Sequence, residues 1–292
     1  MAYFLQNEEL EVRIAEPGED YRGTRFDWSG LVTQVTARRS GLTYCSVESE
    51  QPGQGSGGIG LCNEFGIEGP PGYDTAPGGW FTKIGIGRLQ RPDDGPYDFM
   101  RAYPLRPYRI ETEGDAVSRR FTVQPEEENG YACRLEKTLT LEGSRLRIAY
   151  RLANTGAKAI DTEEYVHNFL RIGAHAIGPD YVLTLGDPVR LLETDPALTA
   201  PLAVRENELT WTERPAGEFY SKLSAPEREH PFTWELRHRP TGAYVRESGD
   251  FPVERLALWG HAGVVSPEAF VRIRLQPGEE KTWTRTYEFS AD

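Results

Sequence analysis

The sequence predicts an all-β fold, a single large antiparallel β-sandwich that spans residues 1–292 as one domain. Long stretches alternate apolar and polar residues with period 2, which is typical of strands with one buried face. The 30 glycines and 21 prolines are spread along the chain, which indicates many turns rather than a disordered tract. Helix signals are weak: the best candidate, residues 188–198, is interrupted by Pro196.

Two stretches predict hairpins. Residues 133–154 alternate on both sides of the turn EGS, so one face of this hairpin is buried. Near the C-terminus, residues 271–275 and 283–289 repeat the pattern around the turn QPGEE. An earlier segment, GTRFDWSG followed by LVTQV, also predicts turn and strand.

Residues 49–79 are the part of the chain richest in loop signals, with many glycines and four prolines. Strand patterns resume directly after them, so a long functional loop inside one domain is a better interpretation than a linker. Within it, GQGSGG at residues 53–58 matches the text of GxGxxG. The dinucleotide fingerprint needs a buried strand before it and a helix after it, and neither flank fits. The motif predicts a flexible loop, and no cofactor is expected.

The charge balance disfavours two classes of partner. Lys and Arg number 33 and Asp and Glu 45, giving a net charge of −12. An acidic surface repels phosphate backbones and anionic lipid, so nucleic acid and membranes are not expected partners. A small neutral ligand fits better.

Cysteine usage and the N-terminus suggest a compartment. The three cysteines Cys45, Cys62 and Cys133 form no CxxC pair, so neither a disulfide framework nor a thiolate zinc site is expected. The start MAYFLQNEELEV lacks the basic region of a signal peptide, and no apolar run is long enough for a membrane span. These features predict a cytoplasmic protein.

The stretch EEYVHNFLRIG, residues 163–173, holds the first of five histidines. Strand alternation places Glu163, Tyr165, His167 and Phe169 on one face. A core face would not hold Glu163 without a partner, whereas a cleft suits all four residues. A packed core histidine is the ordinary interpretation of His167. One His and one Glu are too few for a metal site, so no metal is expected.

A second group lies in LWGH and SPEAF. On residue type alone, Glu268 is a solvated glutamate in a turn, because Pro267 marks an irregular segment. Trp259 and His261 lie close upstream, and an indole beside a carboxylate and an imidazole suits a sugar ring. A buried core position explains Trp259 equally well.

Three charged residues stand beside aromatic residues: Lys83 in GGWFTKIGIG, Glu64 in NEFG and Arg25 in GTRFDW. Such residues are more often exposed or paired in surface salt bridges than part of a site. Their neighbours also permit a pocket.

Three of these segments, in this order, resemble the aldose 1-epimerase (galactose mutarotase-like) superfamily. GTRFDWSGLVTQV is similar to an early strand of that family, and Asn154 and HNF at 167–169 match its Asn-containing turn and His-x-x-Phe-type strand. SPEAF followed by LQPGEEKTWTRTYEF matches its terminal Glu, turn and aromatic strand. The resemblance covers most of the chain. It implies one large galactose mutarotase-like supersandwich with a sugar in an open cleft.

The resemblance also implies roles. Glu268 would take the proton from the anomeric hydroxyl and His167 would protonate the ring oxygen, so that the ring opens and closes on its other face. Glu268 is expected to be ionised, and His167 to titrate near its ordinary pKa. The implied substrate is a free or modified sugar, bound by Lys83, Glu64, Arg25, Asn168, Trp259 and His261.

The chain departs from the family in one respect and leaves other functions open. The family has another site histidine upstream, whereas this chain has no histidine before His167, and Lys83 stands in the corresponding segment. A non-catalytic carbohydrate-binding sandwich needs no acid–base pair. Lysis or hydrolysis of a sugar is a third alternative, and hydrolysis would call for two carboxylates, here Glu163 and Glu268.

Overall fold

The structure of the protein, a computed structural model, describes residues 2–51, 53–192, 198, 201–224 and 231–290. These residues form 21 strands in three antiparallel sheets and contain no α-helix. The weak helix candidate at 188–198 lies partly outside the described residues. No described segment forms a helix with the length and apolar character needed to cross a membrane.

The first sheet has eight strands. In spatial order it consists of β1 (Tyr3–Gln6), β2 (Leu10–Ile14), β3 (Val32–Ala37), β4 (Leu61–Phe65), β12 (Ile160–Asn168), β20 (Val264–Leu275), β19 (Arg255–His261) and β16 (Phe219–Leu223).

The second sheet has ten strands and packs against the first. Its order is β14 (Leu202–Arg205), β15 (Glu208–Trp211), β13 (Tyr181–Leu185), β17 (Phe232–His238), β18 (Tyr244–Gly249), β21 (Glu280–Phe289), β11 (Arg145–Asn154), β10 (Cys133–Glu142), β9 (Ser118–Gln124) and β8 (Arg109–Gly114). A small third sheet contains β5 (Trp80–Lys83), β6 (Gly87–Gln90) and β7 (Leu105–Pro107).

The main core lies between the two large sheets, where their alternating apolar residues meet. The predicted hairpin of β10 and β11 is present, with Glu142 opposite Arg145 at the turn. Asn154 ends β11 and donates from its side chain to the carbonyls of Lys158 and Leu275, so it fixes the turn into β12.

The C-terminal hairpin prediction is wrong. Strands β20 and β21 follow each other around the predicted turn, but β20 pairs with β12 and β19 in one sheet, while β21 pairs with β11 and β18 in the other. The connection is an arch across the sandwich. Alternation shows that both strands have one buried face, and this is equally true of a hairpin and of two strands that face each other across a core.

The loop prediction for residues 49–79 is wrong in its centre. Strand β4 lies inside that stretch, next to β12 in the middle of the eight-stranded sheet, and all five of its residues are buried. A strand that is buried on both faces shows no alternation of apolar and polar residues. The sequence pattern therefore did not separate β4 from the glycine-rich segments on either side of it.

Candidate active site

A cleft of about 1160 Å³ lies on the face of the eight-stranded sheet that points away from the ten-stranded sheet. Strand alternation sends one side of β12 into this cleft and the other side into the core. Side chains from three neighbouring strands line its floor: Tyr165, His167, Glu268, Phe270, Arg255 and Trp259. The cleft is large enough for a sugar.

His167 and Glu268 meet on this floor. His167 Nε2 lies 3.4 Å from Glu268 Oε1, and both side chains are about 95 % buried, with exposed fractions of 4 % and 5 %. Glu268 belongs to strand β20 and is not the solvated turn residue that its type suggests. Ser266, on the same face of β20, donates from Oγ to Glu268 Oε1 at 3.0 Å. The sequence features at 167 and 268 thus converge in space.

Burial changes the expected protonation of this pair. It raises the pKa of Glu268 from 4.5 to about 8, although the Arg25 cation and the Ser266 hydrogen bond oppose the shift. Burial, with a smaller effect of Arg25, holds the pKa of His167 well below 6.5. At neutral pH the resting pair therefore carries one proton, on Glu268, and His167 is neutral. The sequence led us to expect an ionised Glu268 and a His167 that titrates near neutrality.

The rings around His167 fix its orientation. It stacks on Phe169 with centroids 4.1 Å apart, and Trp259 and Phe26 meet it edge-on at 4.9 Å and 5.9 Å. Its Nδ1 is buried and has no hydrogen-bond partner among the described residues. An imidazole confined in this way has its Nε2 aimed at Glu268.

Arg25 lines the cleft, whereas Glu64 and Lys83 lie beneath it. Glu64 accepts hydrogen bonds from Arg25 Nε at 2.9 Å and from the Tyr165 hydroxyl at 2.7 Å. Lys83 Nζ is 3.3 Å from the other oxygen of Glu64 and donates to the Phe65 carbonyl at 2.7 Å. Lys83 and Glu64 are fully buried. The structure therefore makes them supports of Arg25 and not groups that face a ligand.

Trp259 and His261 both line the cleft, and both already have hydrogen-bond partners within the protein. The Trp259 indole N–H donates to Glu218 Oε1 at 2.7 Å, and its ring is only partly buried. In His261, Nδ1 accepts from the Gly263 backbone N–H at 2.9 Å, so the proton resides on Nε2 and is donated to the Glu48 carbonyl at 2.9 Å. Both ring nitrogens of His261 are thus engaged, so it is poorly placed to bind a sugar hydroxyl.

Asn168 is not brought to the cleft. It lies on the opposite face of β12, where it accepts from the Tyr287 hydroxyl at 3.0 Å and donates to the Pro267 carbonyl at 2.6 Å. It ties the two large sheets together. Its neighbour His167 faces the cleft because adjacent strand residues point to opposite sides.

Arg255 is a cleft residue that sequence reasoning missed. It donates to Glu163 Oε1 at 2.8 Å and lies 3.7 Å above the centre of the Phe270 ring. Phe270 in turn stacks on Tyr165 at 4.3 Å. A signal was present, since Glu163 on the cleft face required a partner, but the pattern gave no means of locating that partner on β19.

No cluster of three or more His, Cys, Asp or Glu that could hold a metal ion occurs among the described residues.

Comparison with known proteins supports the fold. No protein-family model matches the sequence, and no curated protein matches it. Solved structures do match over whole chains. A galactose mutarotase-like protein from Lactobacillus casei is 15% identical, with a TM-score of 0.65 and coverage of 99% of this chain and 100% of that one. An aldose epimerase homologue from C. elegans is 11% identical, with a TM-score of 0.60 and coverage of 99% of both chains.

A galactose mutarotase related enzyme from Lactobacillus acidophilus is likewise 11% identical, with a TM-score of 0.61 and coverage of 99% of this chain and 97% of that one. Identities this low establish shape and not chemistry. The all-β sandwich that the sequence predicted is confirmed. The resemblance noted in the sequence is confirmed at the level of the fold: this chain has the galactose mutarotase-like fold.

Proposed function

We propose that this protein is an aldose 1-epimerase-like enzyme that interconverts the anomers of a free or modified sugar. The observation that carries the proposal is the His167–Glu268 pair, 3.4 Å apart on the floor of a sugar-sized cleft. The fold of the solved relatives supports it. The proposal keeps the prediction from the sequence that the chain forms a single domain.

Ring opening needs one proton acceptor and one proton donor side by side. The anomeric hydroxyl and the ring oxygen are both bonded to C1, so the groups that serve them must be neighbours. Glu268 takes the hydroxyl proton while His167 delivers a proton to the ring oxygen; the bond from C1 to the ring oxygen breaks, and a carbonyl forms at C1. Rotation about the next carbon–carbon bond and the reverse proton transfers close the ring on the other face.

The proton count of the pair matches this chemistry. At neutral pH the pair holds one proton, which is the number that one donor and one acceptor require. In the resting cleft that proton lies on Glu268, and it passes to His167 before the ring opens. Because coupled groups titrate together, the pH profile reports the pair and not one residue. We expect the exchange rate to fall as pH rises through about 8, where the pair loses its proton.

The test is anomer exchange measured by NMR on a panel of free aldoses. We expect Glu268→Gln to slow exchange by roughly 100-fold or more, the usual cost of losing a general acid–base group. The control is Glu113→Gln, which alters a glutamate with 74% of its side chain exposed. Equal rates for the wild type and Glu268→Gln on every sugar would refute the catalytic role.

The second candidate is a non-catalytic carbohydrate-binding sandwich. Its support is the pair of partly buried aromatic rings at the cleft, Trp259 and Tyr220, on which a sugar can stack. In that case the wild type would bind sugars without accelerating exchange, and Glu268→Gln would change only affinity.

We also propose a cytoplasmic location. Cys45, Cys62 and Cys133 are buried free thiols. Burial raises the pKa of Cys45 and of Cys133 to about 12, so these thiols are unreactive at neutral pH.

A further inference from the structure

Glu48 sits at the rim of the cleft with its two carboxylate oxygens in different situations. Oε2 accepts three hydrogen bonds: from the Ser56 backbone N–H at 2.7 Å, the Ser56 hydroxyl at 2.9 Å and the Gly58 N–H at 2.9 Å. These donors saturate that oxygen and hold the glycine-rich loop in place.

The loop is built to wrap around this carboxylate. Gly55 has φ +70°, and a Cβ there would lie 2.5 Å from the carboxyl carbon of Glu48. Only glycine allows so close an approach together with that backbone conformation. The glycines of GQGSGG therefore enclose the carboxylate of Glu48. This explains why the segment matches the text of GxGxxG although it binds a side chain of its own protein and not a nucleotide.

The other oxygen faces the cleft. Glu48 Oε1 lies 3.9 Å from Arg25 Nη1 and accepts no hydrogen bond from the residues that the structure describes. Only 9% of the Glu48 side chain is exposed. Oε1 itself remains accessible from the cleft, so it can accept a hydrogen bond from a ligand hydroxyl there.

Arg25 is held rigidly opposite that oxygen. Its Nε donates to Glu64 and its Nη2 donates to the Tyr165 hydroxyl. Its guanidinium carbon lies between the rings of Phe26 and Phe99, 4.6 Å and 4.4 Å from their centres. Its Nη1 carries two hydrogens: Ser56 Oγ accepts one at 3.1 Å, and the Met100 sulfur accepts the other at 3.7 Å. A thioether sulfur is a weak acceptor, so a sugar hydroxyl in the cleft can replace Met100 at this N–H.

We propose that Glu48 and Arg25 form a hydroxyl-recognising subsite for a polyhydroxylated sugar ring. One ring hydroxyl donates to Glu48 Oε1 and accepts from Arg25 Nη1, so Glu48 determines specificity and takes no part in proton transfer. The subsite lies beside the catalytic pair, because the Phe26 ring under Arg25 also contacts His167 at 5.9 Å. The inference rests on the proposed function in that it places the sugar in this cleft.

The decisive variant is Glu48→Gln. Its amide oxygen can still accept from Ser56 and Gly58, so the loop keeps its anchor, while an amide N–H replaces the acceptor that faces the cleft. The matched control is Asp115→Asn, in which the native carboxylate likewise accepts from two backbone N–H groups, at Val117 and Ser118, away from the cleft. Thermal unfolding verifies that both variants fold.

Equilibrium binding is measured by titration with free aldoses and with their singly deoxygenated analogues. We expect Glu48→Gln to weaken binding of the parent sugar by about 10-fold or more, as for the loss of a hydrogen bond to a charged group. One deoxy analogue should bind the wild type and Glu48→Gln equally, because it lacks the hydroxyl that the subsite reads. Asp115→Asn should bind as the wild type does.

The outcomes separate the subsite from the proposed function. Unchanged affinity in Glu48→Gln, or an equal loss for the parent sugar and for all its analogues, overturns the subsite alone. Binding that shows this pattern without anomer exchange supports the subsite and overturns the enzyme. Absence of binding by every sugar tested overturns both.

Discussion

The two faces of strand β12 carry polar groups that are equally buried and are used differently. On the core face, Glu164 accepts from Arg285 Nη2 at 2.8 Å, and Arg285 also donates to Glu247 at 2.6 Å. All three are completely buried. On the cleft face, His167 has one ring nitrogen without a partner and the other 3.4 Å from Glu268.

This contrast teaches that burial of a charged group does not by itself mark a site. The arginine on the core face donates to two carboxylates and a carbonyl and is fully buried, so it joins the two sheets. His167 on the cleft face is buried but incompletely partnered, because its Nδ1 has no hydrogen-bond partner among the described residues. Incomplete partnering beside a cavity is the better sign of function.

The largest change in the free energy of unfolding is expected for a substitution on the core face. Arg285→Met leaves Glu164 and Glu247 buried without their cation, so we expect a loss of about 3 to 5 kcal/mol in the free energy of unfolding. Urea unfolding measures it. The matched control is Arg145→Met, which removes an arginine of the same sheet that is 63% exposed and paired with Glu288; about 1 kcal/mol or less is expected there. A loss for Arg285→Met no larger than that of the control would show that the buried network is not structural.

The next largest change in the free energy of unfolding is expected on the cleft face, where a substitution should stabilise the protein. The folded state holds the pKa of Glu268 at about 8 against 4.5 in the unfolded chain, so wild-type stability falls as pH rises between these values. Glu268→Gln removes this cost, and we expect the variant to be more stable by about 3 kcal/mol at pH 7.

The advantage of Glu268→Gln should vanish toward pH 4, where the wild-type carboxyl is protonated in both states. Urea unfolding across this range measures it, with Glu113→Gln as the surface control. A difference that does not depend on pH would show that Glu268 is ionised in the folded protein.

The smallest effect is expected at Lys83. Lys83→Met removes the hydrogen bonds to Glu64 and to the Phe65 carbonyl, so we expect a loss of about 1 to 2 kcal/mol in stability. With Arg25 slightly displaced, KM for anomer exchange should rise roughly threefold while kcat stays nearly constant. The control is Lys281→Met, in which the native lysine donates to the Arg272 carbonyl at 2.7 Å. A rise in KM well above tenfold would instead support the direct ligand contact that the resemblance implied.

Much of the fold could be predicted from local pattern, and the failures have a common cause. Alternation found the β10–β11 hairpin and the cleft face of β12, because a half-buried strand displays its burial in its own sequence. It missed β4, which is buried on both faces, and it misassigned the β20–β21 arch, whose strands pair with distant partners.

The candidate site shows the same limit. Chain order and resemblance selected His167 and Glu268, and the structure brings them together. The same reasoning selected Asn168, although adjacent strand residues face opposite ways, and Lys83, which ends beneath Arg25. It could not find Arg255 or the free oxygen of Glu48, because both gain their meaning from partners on other strands and loops.

The sequence by itself determined that this is a β-sandwich with a polar face on β12 that is unsuited to a core. Those properties are set by residue type and period along one strand. Only the tertiary structure decided which polar groups are satisfied and which remain open to the cleft. The pKa values of Glu268 and His167 depend on burial and on charges brought close by folding. Such through-space effects separate Arg285, which stabilises the fold, from Arg25, which faces the cleft.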